Sequence, residues 1–452
     1  MRKLCAATLL ALGVGACGGD GNDVEPELIP SGGVHDPGVD GEVNVYVIDE
    51  DTDAPLVGAT VRVGTIEGTT DSTGLFVASG DLSGKQQITV KATNYAPAVW
   101  VGVDGANVTM PMTRATTTSV NVPQAELGGT INGWTALAQP LAGHANVALV
   151  TYSQSKELGD DKGNDLPPPA TSSNVCFHVA ANPPTAIPPC NWRINARAGT
   201  IAVAAAIGDY DSKGTATEDD DTITFSNFAV KQPLTVVDGA NQVGVQLDLL
   251  PAGSTTSASV TFGTPPSTFT QVAGIVGVDL GDLGVLRLAQ VSPTMNTVVV
   301  PSLSAVSGST GYELLAFASE MVDDGTAGQS VVLKRGITSA SAIEAGEWLS
   351  APTGLASDRM TVSLSPNATA KVHILEFNTN SGSGSGNRAM SIGIFDGTTT
   401  VDLPVDFAPL PSGSLILTAT DFDAPAFDAR DFEIEGLVDS INRLASESIN
   451  VN

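Results

Sequence analysis

Gly41-Glu-Val-Asn-Val-Tyr-Val-Ile-Asp49 sets Val43, Val45 and Val47 at alternate positions. A period of two puts all three on one face of an extended chain, so the stretch predicts a half-buried β-strand. The alternation continues downstream. Ile88, Val90 and Ala92 alternate with Gln87, Thr89 and Lys91, and two further strands are expected with Val99, Val101 and Val103, then Val108, Met110 and Met112, facing inward. Between them, Asp51-Thr-Asp-Ala-Pro55 turns the chain, and Thr70-Asp71-Ser-Thr-Gly74 reads as a tight turn. There the Asp71 carboxylate accepts backbone N–H groups and Gly74 takes a positive φ, after which Phe76 points inward.

The same style fills the rest of the 452 residues, where Thr, Ser, Val, Gly and Ala dominate and Gly, Pro, Asn and Asp break short apolar runs. Strands are predicted over 146–152, 174–179, 200–207, 222–230 and 241–249. More follow over 269–278, 312–318, 330–334, 360–364, 371–377, 390–395 and 414–420. The expected fold is all-β, with tandem β-sandwich domains over 41–113, 114–266 and 267–452, and Thr264-Pro-Pro-Ser267 as a joint. Leu437, Ile441 and Leu444 have the spacing of one short C-terminal helix. Leu127–Gly133 echoes Val272–Gly277, and Leu247–Ser254 echoes Phe407–Ser414, which raises an internal duplication as an expectation.

Charge narrows the function classes. With 20 Lys and Arg against 49 Asp and Glu the chain carries a formal −29, a surface that repels phosphate backbones, so nucleic acid is not an expected partner. Divalent cations suit such a surface, although solubility alone accounts for it.

The N-terminus ends a basic and then apolar segment with Val14-Gly15-Ala16-Cys17. This resembles a bacterial lipobox, which implies a signal peptide over 1–16 and lipidation of Cys17. Residues 17–40 would then be a flexible tether, and the membrane, reached through the lipid, a partner. Gly18 after the modified Cys resembles the default for sorting to the outer membrane, so the expected location is the outer membrane or cell surface. With Cys5 lost and Cys17 acylated, Cys176 and Cys190 remain, and an exported chain is expected to oxidise them to a disulfide.

Pro55-Leu-Val-Gly58-Ala59-Thr-Val61-Arg-Val63, Thr70-Asp71-Ser-Thr-Gly74-Leu-Phe76 and Ile88-Thr-Val90-Lys-Ala92-Thr-Asn-Tyr95 together resemble the carboxypeptidase regulatory-like domain, a small sandwich of the transthyretin-like type. In that family the module is an accessory without catalytic residues of its own. The remainder resembles uncharacterised β-rich lipoproteins of myxobacteria.

For chemistry, Gly208-Asp209-Tyr-Asp211-Ser-Lys213-Gly214 resembles the start of a calcium loop, and Glu218-Asp219-Asp220-Asp221 follows. Asp209, Asp211, Asp219 and Asp220 are the candidate calcium ligands, with Lys213 an awkward occupant of a ligand position. His373-Ile-Leu-Glu376 matches an H-x-x-E zinc pair, but it sits in a predicted strand, where residues three apart face opposite ways. His178 beside Cys176 reads as a strand residue, and Trp100, Trp134, Trp192 and Trp348 as core. The expected function is a lipid-anchored, non-catalytic structural, adhesion or ligand-binding module for a surface polymer or protein. The rival is a glycan or peptide hydrolase whose carboxylates lie unrecognised within 114–452.

Overall fold

The computed structural model describes residues 38–50, 52, 54–115, 123–156, 173–181, 183, 185–215, 221–320, 328–379, 386–427 and 440–452. Its regular structure is almost entirely strand. The first seven strands are β1 (Asp40–Asp49), β2 (Thr60–Val63), β3 (Ile66–Thr69), β4 (Leu75–Ser83), β5 (Gln86–Lys91), β6 (Ala98–Val103) and β7 (Asn107–Met112). Next come β8 (Gln124–Asn132), β9 (His144–Tyr152), β10 (Val175–Val179), β11 (Asn191–Arg197), β12 (Gly199–Asp211), β13 (Thr222–Val236) and β14 (Gln242–Leu249). They are followed by β15 (Thr255–Thr261), β16 (Gln271–Asp279), β17 (Val285–Val291), β18 (Thr297–Pro301), β19 (Gly311–Ser319), β20 (Gln329–Ile337) and β21 (Ile343–Glu344). The last seven are β22 (Thr353–Ser357), β23 (Thr361–Ser365), β24 (Val372–Thr379), β25 (Arg388–Ile394), β26 (Thr400–Asp402), β27 (Leu415–Asp423) and β28 (Arg443–Val451).

The opening alternation behaves as its period requires. β1 lies between β4, antiparallel, and β7, parallel, with Val45 opposite both Phe76 and Val108. β3, β2, β5 and β6 form the facing layer. Val43, Val45 and Val47 of one layer and Val61, Val63, Ile88 and Val90 of the other belong to one core and are all fully buried. Fully burying such a side chain contributes roughly 1.5–3 kcal/mol. The turn before β4 is held as its residues predict: the Asp71 carboxylate accepts the amides of Thr73 (2.8 Å) and Leu75 (3.1 Å). Gly74 has φ +76, and a Cβ there would sit 2.8 Å from the Val47 carbonyl.

β6 departs from expectation. Val99 is buried in a second core on the far side of the sheet, and Val101 packs against that core too, whereas Trp100 and Val103 belong to the first. The three valines therefore do not share a face. Gly102, at φ +80, is where the register of β6 against β5 shifts, with Gln87 opposite Val101 but Gln86 opposite Val103. This bulge turns Val103 back to the first core. β6 is thus buried on both faces, as the continuous apolar run Ala98-Val-Trp-Val suits.

The second face exists because β6 also pairs in parallel with β25, placing Val99 opposite Ile392 and Val101 opposite Ile394. The result is a twelve-stranded sheet in the order β17-β16-β19-β20-β28-β27-β24-β25-β6-β5-β2-β3. Three small sheets cover it: β4-β1-β7, β22-β23-β26 and β18-β15-β21, each three-stranded. Val362, Leu364 and Val401 pack with Leu375, Phe377, Ile392 and Leu417, and Ala258, Val260 and Val300 pack with Val276, Leu314 and Ala316. The tandem sandwiches share one layer.

Residues 124–249 form a separate seven-stranded sheet, β10-β9-β12-β13-β14-β8-β11. It curls until its edges approach, the Arg193 amide donating to the Ser173 carbonyl and the Cys176–Cys190 disulfide joining β10 to the start of β11. Trp134, Trp192, Leu127 and Leu247 fill its interior. Ala202, Ala204 and Ala206 of β12 face outward into the core beneath β16 and β19, small residues where two sheets meet.

Pairing crosses the division expected at 266, because β15 joins β18 and β21 across the Thr264–Ser267 segment. The first pair of echoed segments is not equivalently placed: β8 is flanked by antiparallel β11 and parallel β14, β16 by two antiparallel strands. Nor does the C-terminal helix reach its last two positions. Leu437 lies outside the described residues, Ile441 precedes β28, and Leu444 is in β28 opposite Phe422. Sheet pairing on both sides of β28 overrides a spacing that three residues set only weakly.

Gly102→Ala should destabilise the protein by more than about 1 kcal/mol, because φ is positive and the new Cβ would meet the Asp396 side chain at 2.4 Å. Urea unfolding of the two proteins measures this directly.

Candidate functional site

Cys17, the expected signal peptide, Asp219 and Asp220 lie outside the described residues. Cys176 and Cys190 form the expected disulfide, with Cα atoms 5.5 Å apart and both residues buried. Trp100, Trp134, Trp192 and Trp348 are all buried, and His178 is a buried residue of β10.

Asp209 and Asp211 end β12 two residues apart, as a calcium loop would have them, but each already has a donor within the chain. His144, opposite Asp211 on β9, brings Nδ1 to 2.7 Å from Asp209 and Nε2 to 3.9 Å from Asp211. The Lys213 ammonium and amide both donate to Asp211 and hold its carboxyl below the usual range. Among the described residues no group of three or more His, Cys, Asp or Glu is arranged to hold a metal.

The H-x-x-E pair is split as strand geometry requires. Glu376 pairs with Arg388 of the neighbouring strand at 2.8 Å, and Arg388 reaches on to Thr113 of the first sandwich at 2.9 Å. His373 faces the other way, and its surroundings form the arrangement with the most chemical content. Directly opposite it on β27 lies Asp421, fully buried, whose Oδ1 is 2.7 Å from His373 Nδ1. The other oxygen of Asp421 accepts the Asn367 amide. A carboxylate so placed fixes Nδ1 as the donor and leaves Nε2 as the free ring nitrogen. His373 lines an open cavity of about 440 Å³, together with Ser365, Asn367, Lys371, Phe395 and Thr399. A second cavity lies around Arg359, but that guanidinium is engaged by the carbonyls of Pro411 and Gly413.

No sequence signal marked this dyad, because Asp421 is 48 residues from His373 and only the β24–β27 register brings them together. His373 stood out in the sequence only as half of the H-x-x-E match, which points to zinc and not to Asp421.

A second buried cluster is structural. Glu313 on β19 is 1% exposed and accepts from Arg287 on β17 at 3.1 and 3.2 Å. Arg287 also donates to Gln154 Oε1 (2.9 Å) and the Ser155 carbonyl (3.2 Å), just past β9, and so clamps the seven-stranded unit to the long sheet. Burial pushes the Glu313 carboxyl above the ordinary glutamate value, with Arg287 opposing. A folded value above the unfolded one means the native state holds the extra proton. That contribution is complete below the ordinary value and is lost as pH rises through the raised one. Glu313→Gln should therefore flatten the fall in stability just above the ordinary glutamate range, by up to about 1.4 kcal/mol per pH unit, as read from urea unfolding over a pH series.

No family model matches the chain, and no curated protein does. Among solved structures, the TIE protein of Bacillus anthracis aligns at 10% identity and TM-score 0.14, covering 67% of this chain and 49% of that one. The chain thus spans about half the length of that protein. A candidate adhesin from Bacteroides ovatus aligns at 10% identity and TM-score 0.12, covering 44% and 74%. A streptococcal ancillary pilin aligns at 8% identity and TM-score 0.10, covering 67% and 98%. At such scores these likenesses carry no inference about this chain.

Proposed function

We propose that the protein is a lipid-anchored module of the bacterial outer membrane or cell surface, held through Cys17, whose sandwiches serve a binding or structural role outside the cytoplasm. The observation that carries this is the Cys176–Cys190 disulfide, buried between β10 and β11, because such bonds form and persist in oxidising compartments. The sequence before Cys17 supplies the address and the residues after it the tether, which ends sooner than the expected position 40, because Gly38 pairs with Gly105, Val39 is buried in the first core and β1 begins at Asp40. The first sandwich we read as carboxypeptidase regulatory-like and accessory, in keeping with its use as one end of a shared sheet.

One observation favours a second reading, a hydrolase. Buried Asp421 orients His373 toward an open cavity, an arrangement suited to general base work on a water or hydroxyl. Turnover of an ester or glycoside probe that disappears in His373→Gln would establish that reading.

Mass spectrometry of the native protein should find cleavage before Cys17 and a diacylglyceryl group on it, and Cys17→Ala should move the protein from the membrane to the soluble fraction. An unmodified thiol, or wild type recovered from the cell interior, contradicts the proposal. Reduction of the disulfide, whose sequence separation is 14, should cost about 3 kcal/mol in urea unfolding.

A further inference from the structure

The cavity beside His373 combines features that select a ligand class. Its volume of about 440 Å³ lies within the roughly 300–1,000 Å³ of small-molecule sites. One full positive charge lines it. The Lys371 ammonium makes no ion pair or hydrogen bond among the described residues. The acids around it are already matched: Asp421 by His373 and the Asn367 amide, Asp396 by Lys85 (3.1 Å) and by the Thr398 amide (3.0 Å). On a chain of formal charge −29, Lys371 is thus left with local positive charge to offer an anion.

The remaining lining is hydroxylic and aromatic. The Ser365 and Thr399 hydroxyls have no partner among the described residues, and with Nδ1 taken by Asp421, Nε2 is the ring nitrogen that His373 has left. Phe395, set edge-on to Trp100 with ring centroids 5.1 Å apart, gives the cavity an apolar wall. Four of the five amides of the 367–371 loop are already engaged. The amides of Asn367, Thr369, Ala370 and Lys371 donate to Asp421, the Asn367 side chain, the Asn367 carbonyl and the Phe422 carbonyl respectively. A peptide main chain would find at most the Ala368 amide of this loop open to it, whereas a ring bearing hydroxyls and one carboxylate finds side-chain partners in Lys371, His373, Ser365 and Thr399.

We propose that this cavity binds a carboxylate-bearing sugar, a uronic-acid residue of an acidic polysaccharide, with the carboxylate on Lys371 and ring hydroxyls on His373, Ser365 and Thr399. This deepens the reading of the protein as an exported binding module and rests on it only for where such a polymer would be met. The anchor is decided by the mass of Cys17 and the cavity by titration, so either can fail alone.

The test is calorimetric titration of the full chain with trigalacturonate, the neutral galactose trimer and triaspartate. Trigalacturonate should bind saturably, the neutral trimer at least about tenfold more weakly, as loss of one charge-assisted contact implies. Lys371 is exposed, so Lys371→Met should keep the wild-type unfolding midpoint while losing about tenfold in affinity, and Lys371→Arg should retain most of it. Absence of saturable binding, equal affinity for the neutral trimer, an unchanged affinity in Lys371→Met, or tighter binding of triaspartate would each overturn the proposal.

Discussion

The pairing of β6 with β25 is the constraint on which the architecture rests. Four residues of the first sandwich, Ala98 to Val101, meet Ser391 to Ile394 in parallel, nearly three hundred residues later in the chain. A parallel contact at such separation closes a very large loop and stands only because burial supports it on both sides. Trp100 packs into one core and Val99 into the other. Phe422, Leu444 and Val331 from the far end of the chain share the first core with Val45 and Val61. The first sandwich is therefore not a bead on a string.

From that joint the order of the long sheet places the chemistry. β24 and β27 are neighbours within it, and their register sets His373 against Asp421. The hairpin-side residues Phe395 to Thr399, just past β25, form the cavity's other wall. The site thus sits on rigid strands next to the joint, with its histidine held by a buried carboxylate and its lysine left at the rim. The seven-stranded unit is tied in separately, through Arg287 bridging Glu313 and the segment after β9.

Local pattern carried the strands well, because alternation and turn chemistry are near-neighbour properties. Val43 to Val47 and the Asp71–Gly74 turn could be read residue by residue. The disulfide followed from counting cysteines. What escaped was set by distant pairing: Val103 facing away from Val99 through the Gly102 bulge, β15 joining the strands beyond 266, and Leu444 drawn into a strand. Of the candidate calcium ligands, Asp209 and Asp211 lie at the end of β12, where Lys213, already an awkward neighbour in the sequence, engages Asp211, whereas the approach of His144 to Asp209 was set by the β9–β12 register. The His373–Asp421 dyad was illegible for the same reason, since a register between strands is not written in either strand alone.

Hydrogen exchange followed by mass spectrometry on the full chain tests the shared sheet most directly. If β6 and β25 form one cooperative layer, amides of Val99 and Val101 should exchange together with those of Ile392 and Ile394, at a common rate that falls away only when the whole sheet opens. If instead the strands of 40–112 lose protection in an earlier, separate step while 388–394 stay protected, the joint does not hold the protein together.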